Sequence, residues 1–134
     1  MTYPKKRQTR VFKQKAWKCS HADAMFSKFI RNRDKWCRRC MKSPSTDNSH
    51  YWLRKHSGTR FDAKNCIGLC RPCHDEWEHR SNNAYKDFMV AWLGSEEYAA
   101  LEHRARSFKN RREAILECMS LLQSLKHDRI GVAL

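Results

Sequence analysis

The sequence predicts an α+β fold: a small zinc-stapled core of two strands and a helix (a ββα core), flanked by an N-terminal helix and C-terminal helices. Two CxxC pairs bracket a segment with strand-like and turn-like stretches. Apolar residues recur at helical spacing on both sides of that segment. These boundaries give three parts: a basic N-terminal arm (1–19), a zinc-binding core with its first helix (20–81) and a helical extension (82–134).

Positive charge is concentrated near the N-terminus. The 134 residues include 28 Lys and Arg against 14 Asp and Glu, for a net charge of +14. Residues 1–40 hold 13 of those basic residues and only 2 of the acidic ones. This excess predicts a polyanionic partner, most simply nucleic acid, and an arm that follows its phosphates.

The remaining composition favours a soluble protein in a reducing cytoplasm. No apolar stretch is long enough to span a membrane, so we expect no membrane partner. Seven cysteines, an odd number, fit thiolates on a metal better than a set of disulfides.

The first helix is predicted over residues 20–34. Ser20 is a candidate N-cap and Asp23 lies in the predicted first turn. The apolar positions that repeat at helical spacing form a stripe: Ala22, Met25, Phe26, Phe29 and Ile30.

The two CxxC pairs predict a structural zinc site. Each pair presents two thiolates to one ion, and four thiolates fill a tetrahedral zinc without an open position for water. The predicted ligands are Cys37, Cys40, Cys70 and Cys73. Cys66 is expected in the core, while Cys19 and Cys118 are left without a role.

Between the pairs, residues 49–54 have the aromatic content of a short strand and residues 55–60 contain the glycine of a turn. Residues 61–69 would hold the return strand. Arg71 and Pro72 then open a helix, since proline suits the first helical turn.

Three helices are predicted in the C-terminal extension. Residues 83–93 form the first, which Gly94 ends, and Ser95 caps the second. The last runs over residues 110–127 and carries a wide apolar stripe. That stripe either packs on the domain or pairs with a second copy to form a homodimer.

Several residues of the core carry candidate chemistry. The His50 imidazole titrates near neutrality, so its neutral form can accept a proton. His74 and Glu78 are four residues apart on one helical face, and such a pair suits a hard divalent metal such as Mg or Mn. Tyr51 and Trp52 either stack on bases or pack in the core. The basic residues around this segment are candidates for nucleic-acid binding: Arg54, Lys55, Arg60 and Arg71.

The central segment resembles the HNH (ββα-metal) nuclease superfamily. The string NCIGLCRPCH, residues 65–74, resembles the N-x-x-x-L-C-x-x-C-H ending of that superfamily. The longer string SHYWLRKHSGTRFDAKNCIGLCRPCH is similar to phage recombination endonucleases of the NinG/Rap type. With looser agreement in the flanks, the resemblance spans roughly residues 25–125.

The resemblance implies a metal-dependent DNA endonuclease that hydrolyses phosphodiester bonds in branched recombination intermediates, such as Holliday junctions and D-loops. It further implies a phage protein working in the cytoplasm of a bacterial host. In this family pattern His50 would be the general base, Asn65 would fasten the loop between the strands, and His74 would bind the catalytic metal.

One position departs from that pattern. Many HNH enzymes have Asp or His just before the base as a metal ligand, where this chain has Ser49, a weaker ligand. Glu78, Asp47 or Asp62 would then complete the metal site. The alternatives are a catalytically weak, zinc-containing DNA-binding protein that assists recombination, or a sequence-specific HNH endonuclease. The short chain, without a second recognition domain, disfavours the last.

Overall fold

The computed structural model describes the backbone of residues 15–132 and the side chains of residues 15–126. Most of the predicted basic arm lies outside these residues. The described chain has the predicted α+β class, with five α-helices and one antiparallel pair of strands. In chain order the elements are α1 (Cys19–Asp34), β1 (Asp47–His50), β2 (Cys66–Leu69), α2 (Arg71–Asp75) continuing as a π-helical turn (Glu76–Arg80), α3 (Asn82–Leu93), α4 (Ser95–Arg106) and α5 (Arg111–Val132).

Helix α1 is confirmed, but its predicted cap is wrong. Lys18 is the N-cap residue, because its carbonyl accepts the hydrogen bond of the Ala22 N–H at 3.0 Å. Ser20 therefore lies inside the helix and is exposed. The predicted apolar stripe faces inward, with Ala22, Phe26 and Ile30 buried.

Strands β1 and β2 pair antiparallel, with Asp47 opposite Leu69 and His50 opposite Cys66. The predicted bounds 49–54 of the first strand are wrong, because β1 begins at Asp47 and ends at His50, whereas β2 lies within the predicted residues 61–69. The chain between them folds into turns, and the buried side chain of Asn65 fastens these turns by bonding the backbone N–H and carbonyl of Trp52. The Tyr51 N–H donates to the Asn65 carbonyl at 2.9 Å, so Trp52 would be a non-hydrogen-bonded position of a longer ladder.

Strand β2 divides the hydrophobic core into two clusters. All four of its residues are buried, and alternate side chains point to opposite faces of a strand. Ile67 and Leu69 join a cluster with Trp77, Tyr85 and Met89. Cys66 joins the other, whose remaining buried members are Ala22, Phe26, Ile30, Ile115 and Cys118. The prediction that Cys66 is buried in the core is confirmed.

Gly68 lets α1 approach the sheet closely. A Cβ at this position would lie 1.9 Å from Ser45 Oγ and 3.1 Å from Asp34 Cβ. The Gly68 N–H donates to Asp34 Oδ2 at 2.7 Å, and its carbonyl accepts from the Arg38 N–H at 2.9 Å. The end of α1 and the first CxxC pair are thus fixed to β2.

The helices after the core pack against it. Tyr85, Met89 and Leu101 of α3 and α4 share a cluster with the residues of β2. Gly94 ends α3 as predicted, with a φ of 82° that favours glycine. Gly94 is also the N-cap of α4, so the predicted cap Ser95 is wrong: Ser95 is already helical and makes no side-chain cap bond.

Helix α5 packs on α1 through Ile115 and Cys118. Of the two roles predicted for its apolar stripe, packing on the domain is the one the described side chains show; the homodimer stays a prediction. Among the described helices, none combines the length and the apolar character needed to cross a membrane.

Candidate functional site

Four cysteines converge on one point beside the sheet. Cys37 and Cys40 come from the loop after α1, while Cys70 and Cys73 come from the start of α2. Their Sγ atoms all lie within 4.8 Å of one another, and those of Cys40 and Cys70 are 3.9 Å apart. Tetrahedral zinc with Zn–S bonds of about 2.3 Å separates its sulfurs by about 3.8 Å. The cluster could therefore hold a zinc ion, as predicted.

Burial raises the pKa of Cys70 to about 12, whereas hydrogen-bond donors favour the thiolate elsewhere in this cluster. Backbone hydrogen bonds from Lys42 and Ser43 lower the pKa of Cys40 to about 6. The Arg39 guanidinium donates to Cys73 Sγ at 3.3 Å. Because zinc binds the thiolate, these donors favour the form of the cysteines that binds metal.

His74 is held between two carboxylates. It follows Cys73 directly in α2, so the cysteine cluster fixes the turn from which it projects. Its Nδ1 lies 2.9 Å from Asp47 Oδ2, and its Nε2 lies 2.9 Å from Glu78 Oε2. The predicted pairing of His74 with Glu78 across one helical turn is present. Asp47 comes from the opposite element, at the start of β1.

Asp47 is ionised at neutral pH. Burial raises its pKa, but hydrogen bonds from His74 and Arg71 outweigh that effect and hold the pKa below its usual value. A carboxylate can only accept, so His74 Nδ1 carries the proton of this hydrogen bond. Nε2 faces the Glu78 carboxylate in the same way, and a cation bound between Nε2 and Glu78 would take the place of the proton they share.

The two carboxylates lie on opposite sides of the imidazole ring. For this reason Asp47, His74 and Glu78 do not converge on one point as the cysteines do. Within the described residues, the cysteine cluster is the one group that brings three or more ligand atoms of His, Cys, Asp or Glu within 4.8 Å of one another. His74 Nε2 and Glu78 together offer two adjacent ligands for a hard cation.

His50 lies at the end of β1 as a neutral imidazole. Its Nε2 is 3.0 Å from the carbonyl oxygen of Arg60, so this nitrogen carries a proton and donates. Burial lowers the pKa of His50 to about 4, and the positive charge of Arg54 contributes in the same direction. The lone pair is therefore on Nδ1, and the ring can accept a proton there.

A single cleft of about 460 Å³ brings the predicted base and the predicted metal ligands together. We call it the catalytic cleft after the roles predicted for these residues. Its walls include His50 from β1 and His74 and Glu78 from α2 and the following turn. The other lining residues are Asp23, Ser27, Asn48, Leu53 and Arg54. Asn48 Oδ1 is buried there without a hydrogen-bond partner. This oxygen is an unused acceptor beside the predicted base.

Asn65 makes the contacts expected of a residue that fastens the loop. Its side chain is fully buried. Oδ1 accepts from the Trp52 N–H at 2.8 Å, and Nδ2 donates to the carbonyls of Trp52 at 2.9 Å and Thr59 at 3.0 Å. The loop so held includes Arg60, whose carbonyl binds His50.

Two candidate metal ligands have other contacts. Ser49 is buried and its hydroxyl lies 2.8 Å from the Tyr85 hydroxyl, so it makes a core hydrogen bond. Asp62 accepts from Arg104 Nε at 2.8 Å and lines a different cleft. Of the three residues proposed to compensate for Ser49, Glu78 and Asp47 are the two that contact His74.

The four predicted nucleic-acid contacts differ in their surroundings. Arg54 lines the catalytic cleft with its side chain 62% exposed, and Lys55 beside it is exposed. Arg71 is exposed but pairs with Asp47 and Asp75. Arg60 is only 18% exposed and is bound to the carboxylate of Asp23, so its guanidinium holds α1 against the loop.

Sequence reasoning missed two supports of the site. Asp23 fixes Arg60, and through the Arg60 carbonyl it fixes His50. Asp47 holds His74, although the sequence offered it only as one of three compensating ligands. Asp47 lies just before the predicted strand 49–54, and a strand starting at Asp47 would have placed it opposite the end of β2.

No protein-family model, curated protein or solved structure matches the chain.

Proposed function

We propose that the chain is a metal-dependent DNA endonuclease of the HNH type, which hydrolyses phosphodiester bonds. One observation carries the proposal: His50, with its Nδ1 lone pair, lines the same cleft as the adjacent His74 Nε2 and Glu78 carboxylate. Phosphodiester hydrolysis needs a base that activates water and a cation that stabilises the phosphate, and these residues could supply the base and two ligands of the cation.

In this reaction His50 accepts the proton of the attacking water. Its Nε2–H stays bonded to the Arg60 carbonyl, which holds the ring while Nδ1 takes the proton. Because burial lowers the pKa of His50 to about 4, the ring is neutral at neutral pH and can accept this proton as a weak base. Asn65 contributes by position, since it fixes the loop that carries the Arg60 carbonyl.

His74 Nε2 and Glu78 would hold the catalytic Mg or Mn. Two protein ligands leave the other positions of such an ion to phosphate oxygens and water, which is usual for Mg²⁺. When bound, the ion would stabilise the negative charge that develops on the phosphate. Asp47 accepts the Nδ1 proton of His74, which orients the ring and strengthens Nε2 as a ligand.

Charge supports DNA as the substrate. The chain carries a net charge of +14, and the exposed Arg54 stands at the catalytic cleft where it can bind a phosphate. We propose branched recombination intermediates as the substrates, in a phage that uses the bacterial cytoplasm. Recognition by shape and phosphate contacts suits a small basic chain. A homodimer would match the two equivalent strands of a four-way junction.

Cleavage of end-labelled four-way junction, flap and linear duplex with Mg or Mn tests the proposal. We expect the branched substrates to be cut and His50→Ala to abolish cutting while binding is kept. His103→Ala is the matched control, since His103 is exposed on α4 outside the cleft. Cleavage by His50→Ala at the rate of the control would remove His50 as the base.

The second candidate is a zinc-containing DNA-binding protein that assists recombination without cutting. The observation that favours it is that Asp47 and Glu78 occupy opposite sides of His74 and form no three-ligand cluster. Binding of the junction without cleavage under either metal would establish this alternative.

A further inference from the structure

A second cleft adjoins the catalytic cleft. It has a volume of about 360 Å³ and shares three lining residues with its neighbour: His50, Leu53 and Glu78. We call it the aromatic cleft, because its other lining residues are mostly ring-bearing: Tyr51, Trp52, His79, Asn82 and Tyr85. Its volume is in the range of sites that hold small planar molecules. A phosphate bound at His50 would have its neighbouring nucleotide at the mouth of this cleft.

The aromatic walls are held in place before any ligand binds. The hydroxyls of Tyr51 and Tyr98 are 2.7 Å apart, and the Tyr85 hydroxyl is bound to Ser49. Tyr51 packs edge-to-face against both Trp52 and Tyr85. Rings fixed in this way offer stacking surface with little loss of side-chain freedom on binding.

Trp52 also carries a polar group without a partner. Its indole Nε1 is buried and makes no hydrogen bond, although buried donors are almost always paired. The Arg106 guanidinium lies over the same ring, 5.6 Å from its centroid. Nε1 is closed off from solvent and Arg106 does not line the aromatic cleft, so the stacking surface of the rings, and not these two groups, would select the ligand.

We infer that the aromatic cleft takes one unpaired nucleobase of the strand whose phosphate lies at His50. This inference deepens the proposed function and rests on it. Two features identify a nucleobase: the aromatic walls stack on any base, and the shared residues join the cleft to the predicted phosphate position. Leu53, 46% exposed and common to both clefts, would contact the base at the lip.

The consequence is a defined substrate class. A base in a regular duplex is paired and stacked, and cannot enter a cleft without the cost of extrusion. DNA with an unpaired nucleotide next to the scissile phosphate, as at a branch point, avoids most of that cost. The cleft thus supplies a physical basis for preferring branched DNA to linear duplex, without reading its sequence.

Binding measured in the zinc-loaded protein without added Mg or Mn tests the inference separately from cleavage. The probes are two duplexes of one sequence, with and without a single bulged 5-iodouracil. We expect the bulged duplex to bind at least about tenfold more tightly, from one stacked base. Ultraviolet light should crosslink the bulged base to a residue of the aromatic cleft, located by mass spectrometry of the peptides.

The variant His79→Ala should lose part of the preference for the bulge while keeping its affinity for duplex, because His79 lines the aromatic cleft and not the catalytic cleft. His79 is exposed, so the fold should survive, which the melting temperature checks. Met41→Ala is the matched control, because Met41 is 63% exposed and lies outside the cleft. Its preference should stay at the wild-type value.

Equal binding of the two probes by the wild-type protein would overturn the inference, and so would a crosslink outside the cleft. A protein that cuts DNA but shows no bulge preference would keep the nuclease proposal and lose this one. A protein that prefers the bulge but cuts nothing would do the reverse.

Discussion

Replacing Asn65 by alanine should destabilise the protein through loss of three hydrogen bonds. The bonds run from the buried amide to the N–H and carbonyl of Trp52 and to the carbonyl of Thr59. A protein hydrogen bond contributes about 1 kcal/mol net, so we expect the free energy of unfolding to fall by about 3 kcal/mol. That is a large share of the stability of a small domain, typically about 5–15 kcal/mol.

Urea unfolding of the zinc-loaded protein, followed by circular dichroism, measures this change. Asn83→Ala is the matched control: Asn83 is exposed on α3, and its replacement should change the free energy of unfolding by less than about 0.5 kcal/mol. A loss below about 1 kcal/mol for Asn65→Ala would refute the view that this amide fastens the loop. Cleavage should also drop at temperatures where the variant is folded, because the loop carries the carbonyl that binds His50.

Three further results are expected. Cys40→Ser should lower the amount of bound zinc, measured by mass spectrometry of metal content, while Cys19→Ser outside the cluster should not. Equal zinc in the two variants would reject the predicted zinc site. The free energy of unfolding should fall by at most about 3 kcal/mol as pH drops from about 6.5 to about 4, because unfolded His50 takes up a proton that the folded residue excludes. The variant His50→Gln should flatten this dependence on pH. An unchanged slope in the variant would contradict the effect of His50 burial. Gly68→Ala should cost about 1–3 kcal/mol in urea unfolding by collision with Ser45, and Ser45→Gly should restore part of the loss; no rescue would show that the collision lies elsewhere.

Local patterns predicted much of this fold because their physics is local. The apolar stripe of α1, the proline that opens α2 and the glycine that ends α3 each act within a few residues. The two cysteine pairs also predicted a contact between distant parts of the chain, because two CxxC pairs commonly bind one zinc ion. Together, the helix signals and the cysteine pairs predicted the positions of His74 and Glu78 relative to the cysteine cluster.

The errors came from contacts between distant residues. The first strand was predicted over residues 49–54 because their aromatic side chains favour a strand, whereas β1 ends at His50 and the backbone of Trp52 binds the Asn65 side chain. The link from Asp23 through Arg60 to His50 joins α1 to a loop, and neither partner shows a pattern that specifies the other. Ser49 was predicted at the metal-ligand position just before the base. Because alternate side chains of β1 point to opposite faces, its hydroxyl contacts Tyr85 instead.

Under the proposed function, the direct succession of Cys73 and His74 in α2 affects when a newly made protein becomes active. Metal binding by such cysteines is coupled to folding, so a newly made chain would have no ordered helix from which His74 could project. Under the proposed function, the nascent polypeptide would be harmless to the genome until it had acquired zinc. The supply of that ion would then set how quickly synthesis of the protein turns into DNA cutting.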